Sequence, residues 1–300
     1  VLKFSGDQKI YNIAGIEIGG QPWERSTVLI GSIFYSGDKI VKDPIKGIFD
    51  EEKAKVLLKA EEEISKFTGN SRFIDVLGES TEALIRYIEF VADQTSIPIL
   101  VDSPSQKVRV GVMKHFANSA LMPRLIYSSI GVDYTEEELN CLTKCGVKNV
   151  IIMAFSMKAI KPKRKIELLE TELIPAVKSA GIENILIDAG VMDVASISWV
   201  SLAIRDLKEK FGYPTGCAPA NALYSWDRMK KLGKVAFHTA SASVFSMTRF
   251  LGADFCLYGP IKNASWIYPA VATTDGLLAY GGRLNGLKPL SNNHPLYKLF

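Results

Sequence analysis

Eight short apolar runs alternate with eight helix-like stretches along this chain, the runs repeatedly end in Asp, Ser or Asn, and no glycine-rich phosphate loop follows the first run. Together these features predict an α/β protein of the (β/α)8 barrel class, its strands buried on both faces and its polar residues gathered at one rim. An open doubly wound sheet is the rival architecture. It usually has fewer units and often carries G-x-G-x-x-G after its first strand, a motif that does not follow Phe34.

Each element has its own signal. Residues 1–20 alternate as a small hairpin, with Tyr11 and Ile13 opposite Ile16 and Ile18 across Ala14-Gly15, and capping the barrel bottom is the role expected of it. Strands are predicted at 28–34, 73–76, 97–101, 125–127, 150–155, 185–187, 216–218 and 255–258, most of them rich in Ile, Val and Leu. Helical periodicity covers 51–67, 81–94, 107–116, 135–144, 166–180, 196–211, a doubled segment 225–251, and 266–280. The 300 residues suit a single barrel domain, with extra chain at the ends. A tail at 281–300, rich in Gly, Asn and Pro, closes with His294-Pro295-Leu296-Tyr297-Lys298-Leu299-Phe300. Its apolar residues suit a contact with a second copy, so a homodimer is expected.

Charge excludes more than it suggests. Lys plus Arg number 36 against 32 Asp plus Glu, and the basic run 158–165 is interrupted by Pro162 and lacks interleaved aromatics. It reads as a solvated loop and not as a nucleic-acid surface. No stretch approaches the roughly 18 uninterrupted apolar residues of a membrane span, and no secretory n-region and h-region open the sequence. With four cysteines and no secretory context, a reducing cytoplasm is the expected compartment. Cys141 and Cys145 fall on one helix face, and Cys217 and Cys256 on the seventh and eighth strands. His115, His238 and His294 show no ligand spacing with them, so buried free thiols and no bound metal are expected.

The chemistry is then left to the strand ends. Asp75 ends the second strand, Asp102 the third, Ser128 and Ser129 the fourth, Ser156 the fifth and Asp188 the sixth, while Asn221 follows the seventh. In a barrel all of these project into one mouth. Carboxylates gathered there, with neither a metal nor a Ser–His pair, need donors on the ligand to stay ionised. A pterin has such donors, an amino group beside a ring N–H, and a carboxylate can accept both in a fork. Any one Asp could instead cap a helix. Asp102-Ser103-Pro104 fits that role best, whereas Ser80 and Ser196 offer later caps after Asp75 and Asp188.

Several stretches also carry a resemblance: Gly19-Gly20-Gln21-Pro22, residues 27–35 (TVLIGSIFY), 46–50 (KGIFD), 75–80 (DVLGES), Asp102-Ser103, 213–226 (YPTGCAPANALYSW), 252–264 (GADFCLYGPIKNA), 272–275 (ATTD) and the HPLYKLF ending. In order and over nearly the whole chain, this resembles the H-subunit family of tetrahydromethanopterin S-methyltransferase. Within it the chain is most similar to the bacterial methylcobalamin:tetrahydrofolate methyltransferases of glycine betaine demethylation. The resemblance implies a pterin-binding barrel that exchanges a methyl group between a corrinoid cobalt and N5 of a reduced pterin, with tetrahydrofolate the expected pterin and tetrahydromethanopterin the alternative. It further implies that Asp75, Asp102 and Asp188 hold the pterin ring, that Ser128 lies beside it, and that Asn221 reaches N5, making Asn221 and Asp188 the expected catalytic pair. The corrinoid, free or carried by another protein, is expected to meet rim aromatics, Tyr224 and Trp266 foremost, with Trp226 and Tyr268 as further candidates. Lys262 and Arg109 are candidates for an anionic folate tail.

Two departures stand out. Relatives typically have Asn-Ser at the fourth strand end where this chain has Ser128-Ser129, and Gly-Glu-Tyr-Pro where it has Trp23-Glu24-Arg25-Ser26. The first shortens a hydrogen-bonding side chain in the mouth; the second alters either the entrance or the barrel bottom. Two other readings stay open: a non-catalytic pterin-binding or assembly subunit, and a dihydropteroate-synthase-like condensation. The latter calls for a basic anion pocket, and no Lys/Arg cluster is visible at the strand ends.

Overall fold

The computed structural model of the protein describes residues 2–300. A hairpin, β1 (Ile10–Ile13) and β2 (Ile16–Gly19), precedes the first barrel strand β3 (Val28–Ile33), and a short pair, β4 (Val41–Asp43) and β5 (Ile48–Phe49), leads into α1 (Glu51–Thr68). Then follow β6 (Arg72–Leu77), α2 (Thr81–Gln94), β7 (Ile99–Asp102), α3 (Gln106–Phe116), β8 (Leu125–Ile130), α4 (Glu136–Cys145) and β9 (Asn149–Met153). The second half runs α5 (Pro162–Leu168), a π turn at 169–173, α6 (Ile174–Ser179), β10 (Asn184–Asp188), α7 (Ile197–Phe211) and β11 (Thr215–Cys217). It ends with α8 (Pro219–Leu223), α9 (Asp227–Lys230), α10 (Lys234–Phe250), β12 (Phe255–Pro260), α11 (Ala264–Gly282) and α12 (Pro295–Leu299). All barrel pairings are parallel, in the order β10-β11-β12-β3-β6-β7-β8-β9, closed on itself. The predicted barrel is therefore present, each strand overlapping its predicted run.

Local chemistry fixes the helix ends. Asp50 caps α1 by accepting from the Lys53 N–H at 3.2 Å, and Gly69 ends it in the left-handed region. Ser80 caps α2 at 3.0 Å and Thr135 caps α4 at 3.1 Å, both as short oxygens do at the first turn.

Strand parity sorts the barrel interior into layers. Val28, Ile30, Phe73, Leu100, Ile126, Ile151, Leu186 and Phe255 point inward as one apolar cluster, and Ile13 and Ile18 of the hairpin join it from below. The hairpin therefore plugs the bottom, as expected. Buried ion pairs brace the same end: Lys208 reaches both Asp254 oxygens at 2.7 and 2.6 Å, and Arg249 pairs with Asp275, which also accepts from the Thr27 N–H and Asn70. No helix among the described residues is long and apolar enough to cross a membrane.

The tail departs from expectation. Leu296 is buried against Trp23 and Ala279, Phe300 lies against Gly276, and the Leu290 N–H donates to the Glu24 carbonyl. Of the apolar residues on which the homodimer rested, Leu296 is engaged by the chain's own barrel, while Tyr297 and Phe300 stay exposed. The same contacts place Trp23-Glu24-Arg25-Ser26 at the bottom and not at the entrance.

Candidate functional site

Two residues beyond the apolar layer, the same inward parity turns polar. Val28 and Ile30 lead to Ser32, Phe73 to Asp75, Leu100 to Asp102, Ile126 to Ser128, and Leu186 to Asp188, while Met153 follows Ile151 as the apolar member. This second layer is the floor of the mouth at the strands' C-terminal ends. The predicted residues Asp75, Asp102, Ser128 and Asp188 thus all lie on the inward parity near the strands' C-terminal ends, with Asp75 beside Asp102.

Their environments differ. Asp75 is 2% exposed; its Oδ2 accepts from Ser32 Oγ at 2.6 Å, and its buried Oδ1 has no partner. Burial, then the neighbouring Asp102, holds its carboxyl well above the usual range. Burial pushes Asp102 up to about 6, partly offset by the Arg109 guanidinium. Asp188 is also pushed up to about 6 by burial, against the pull of the Gly190 N–H, which donates to Oδ1 at 2.7 Å, and of Lys165. Such carboxyls, short of compensating charge, select a ligand that brings donors. None acts as a helix cap: α3 is entered through Ser105, so the capping role open to Asp102 is not the one it takes.

Ser128 is buried and sits opposite Asp102 in register, with a cis peptide to Ser129. Asn221 lies in the first turns of α8, exposed to solvent above the seventh strand. Gly259, at φ +77°, lets α8 close on β12, because a Cβ there would meet Ala220 Cβ at 2.9 Å and Tyr224 at 3.0 Å. Tyr224 is 39% exposed at this rim and its hydroxyl accepts from the Asn263 amide. Trp266 is half-buried. It packs in the helix layer, stacked on His238 at 4.4 Å and edge-on to Phe245. Tyr268 is fully buried with its hydroxyl on Glu61, Trp226 is half-buried, and Lys262 is exposed. A cleft of about 810 Å³ beside the mouth is lined by Ser156, Lys158 and Arg164 but holds none of the carboxyls. Buried carboxyls, not volume, mark the site.

Three residues have roles that the sequence does not announce. Ser32 pairs with Asp75 in register across β3 and β6, legible from parity. Arg109 is no surface charge: it donates to the Ser103 and Ser129 carbonyls and lies over the Tyr127 ring, clamping β7 to β8. Lys165, inside the run read as a solvated loop, is buried with its Nζ on the Ala154 carbonyl at 2.8 Å. Its spacing from Leu169 and Leu173, both buried, was the available signal. Two cations therefore do lie beside the carboxyls, but both are engaged by main-chain carbonyls and do not form an open anion pocket.

All four cysteines are free and buried; Cys141 and Cys145 lie 3.8 Å apart on α4. Burial pushes the Cys145 thiol up to about 11 and Cys256 to about 12, the reverse of an activated thiolate. No group of three or more His, Cys, Asp or Glu among the described residues is placed to hold a metal ion.

The family model described as tetrahydromethanopterin S-methyltransferase MtrH subunit matches residues 6–290. Among curated relatives, the tetrahydromethanopterin S-methyltransferase H-subunit of Methanopyrus kandleri is 36% identical over 96% of each chain, and that of Methanothermobacter thermautotrophicus is 33% identical over 100% of each. The H-subunit of a putative methyltransferase, mtx, of Methanosarcina acetivorans is 33% identical over 99% of each. Among solved structures, a dihydropteroate synthase of Yersinia pestis in complex with a pterine-sulfa conjugate has a TM-score of 0.62 at 15% identity, over 91% of this chain and 100% of that one. A dihydropteroate synthase of Xanthomonas albilineans has a TM-score of 0.61 at 16% identity, over 90% and 98%. Identities this low establish the shared barrel fold alone.

Proposed function

The chain belongs to the tetrahydromethanopterin S-methyltransferase MtrH subunit family, and from that premise we propose that it moves a methyl group between N5 of a reduced pterin and the cobalt of a corrinoid, as one subunit of a larger methyltransferase. The relatives' names move the expected pterin from tetrahydrofolate to tetrahydromethanopterin, and the expected assembly from a homodimer to a multi-subunit complex. The observation that carries the reading is the buried carboxyl layer, with Asp75, whose buried Oδ1 has no donor, beside Asp102.

In this reading Asp75 and Asp102 accept from the amino and ring N–H groups of the pterin, and Asp188 accepts from the opposite side of the ring. Binding donors there relieves the desolvation that pushes these carboxyls up, so affinity and ionisation rise together. Ser128 offers one rotatable hydroxyl, shorter than an amide, leaving its contact to a water or a longer bond. Asn221 stands over the ring at N5, where its amide donates as N5 becomes a leaving amine and accepts when N5 is the nucleophile. The corrinoid, a co-substrate free or carried by another protein, supplies the carbon–cobalt bond that is exchanged; Tyr224 and the exposed rim by Asn221 form the surface it meets. The protein's share is alignment, because no enzyme-bound covalent intermediate is required.

The test is an anaerobic transfer assay with methylcobalamin, run in parallel with tetrahydromethanopterin and tetrahydrofolate and followed through the cobalt spectrum. Turnover is expected with tetrahydromethanopterin and less with tetrahydrofolate. Turnover with neither pterin from folded protein would refute the catalytic reading and favour a pterin-binding or assembly subunit.

A further inference from the structure

We infer that Lys165 is a positioning residue that holds Asp188 charged from behind the strand ends, so that the floor of the mouth contains a fixed cation as well as its carboxyls. The inference rests on the pterin reading only for its consequence in binding; the closeness of the two residues is read from geometry. Lys165 is 1% exposed, in the first turns of α5. Its Nζ donates to the Ala154 carbonyl at 2.8 Å, and the Ala154 N–H in turn donates to the Asp188 carbonyl at 2.8 Å. On the other side, Nζ sits 5.2 Å from the Phe155 ring centre. Phe155 packs on Gly190, where a Cβ would come within 2.6 Å of it, and the Gly190 N–H donates to Asp188 Oδ1 at 2.7 Å. Lys165 and Asp188 therefore close a loop through Ala154, Phe155 and Gly190.

An ammonium offers three donors, and here a single carbonyl takes one of them. Burial of that kind draws Lys165 down to about 8, and the attraction of Asp188 opposes the loss of its proton. Reciprocally, Lys165 opposes the burial that lifts Asp188. The other groups that bear on Asp188 are the Asp102 carboxyl, which pushes it up, and the neutral thiols of Cys217 and Cys256. On Lys165 the one charged group that bears is Asp188. The three carboxyls are thereby differentiated: Arg109 offsets the burial of Asp102, Lys165 offsets that of Asp188, and no cation offsets Asp75.

The experiment titrates Asp188 by carbon-13 NMR of aspartate-labelled full-length protein, its carboxyl resonance identified by loss in Asp188→Asn. In Lys165→Gln, which keeps a donor for Ala154, and in Lys165→Met, the Asp188 midpoint is expected to rise by about one pH unit; Lys165→Arg is expected to restore it. An unchanged midpoint in folded Lys165→Gln overturns the inference. Should neither neutral variant fold, labelled lysine in Asp188→Asn decides, because coupling is reciprocal and the Lys165 midpoint must then fall by the same amount. Calorimetry with tailless 6-methyltetrahydropterin reads the consequence: about fivefold weaker binding by Lys165→Gln at pH 6, fading by pH 8.5. An unaltered pH profile in that variant overturns the inference. Wild-type protein that binds no pterin refutes the functional reading instead, and the titration alone then supports or overturns the pairing.

Discussion

Replacing Asp75 by Asn separates binding from stability. In the folded protein Asp75 Oδ2 accepts from Ser32 Oγ at 2.6 Å, Oδ1 has no partner, and the Asp102 carboxyl lies beside it. Asparagine keeps the shape and one acceptor for Ser32, but turns an amino group toward the donors of the pterin. Two charge-assisted bonds, about 1.5–3 kcal/mol each, give way to at most one neutral bond of about 1 kcal/mol. The net loss is about 3 kcal/mol, roughly a hundredfold in Kd. Meanwhile the substitution removes a buried ionisable group from beside Asp102, so the ligand-free variant is expected to unfold at the same temperature as the wild type or higher. Calorimetry with tetrahydromethanopterin, beside thermal unfolding of ligand-free protein, measures both. Undiminished affinity would show that Asp75 does not hold the pterin edge, and lost affinity accompanied by a Tm several degrees lower would assign the residue to the fold.

Three further outcomes follow from the same structure. Asp102 and Asp188 are pushed up to about 6, above their unfolded values, so the folded state binds more protons than the unfolded one between roughly pH 4 and 6. Ligand-free stability is therefore expected to fall as pH rises through that window, while pterin affinity rises; chemical denaturation and calorimetry across pH 4–8 check both signs, and a parallel rise would contradict the assignment. Ser128→Asn, which supplies the amide that the resemblance implies at this position, is expected to tighten pterin binding about fivefold, near 1 kcal/mol, and weaker binding would show that the serine floor is fitted to a different ring. Asp254→Asn strands the buried Lys208 charge at the barrel bottom and is expected to cost about 3–5 kcal/mol in denaturant unfolding, with pterin affinity per folded molecule unchanged.

What could be read from the sequence was what period and parity encode. Strand runs of Ile, Val and Leu must be buried on both faces, and an inward Asp two residues past an inward Leu or Phe must face the mouth, so β6, β7 and β10 and their carboxyls were legible. The hairpin was legible because Ile13 and Ile18 share a face and need an apolar partner. Contacts set by tertiary packing were not. Lys165 looked solvated because its neighbours at 158, 161 and 163 are lysines, and only the buried spacing to Leu169 and Leu173 betrays it. The apolar ending fits a neighbouring copy or its own barrel equally well as a string of letters, and Trp23 with Ala279 claims Leu296 for the barrel. Trp266 belonged to the same ambiguity, since an aromatic opening a helix serves a rim or a helix interface alike, and His238 and Phe245 claim it for the interface.

The most direct measurement follows the methyl group itself. Methylcobalamin carrying a carbon-13 methyl is incubated anaerobically with the protein and tetrahydromethanopterin, and the label is traced by NMR while the cobalt spectrum is recorded, beside Asn221→Ala. The label is expected to appear as an N5-methyl amine in one-to-one step with loss of methylcobalamin, and at least tenfold more slowly in the variant. Label that stays on cobalt, or that emerges on any atom other than N5, from protein shown to be folded would contradict the account.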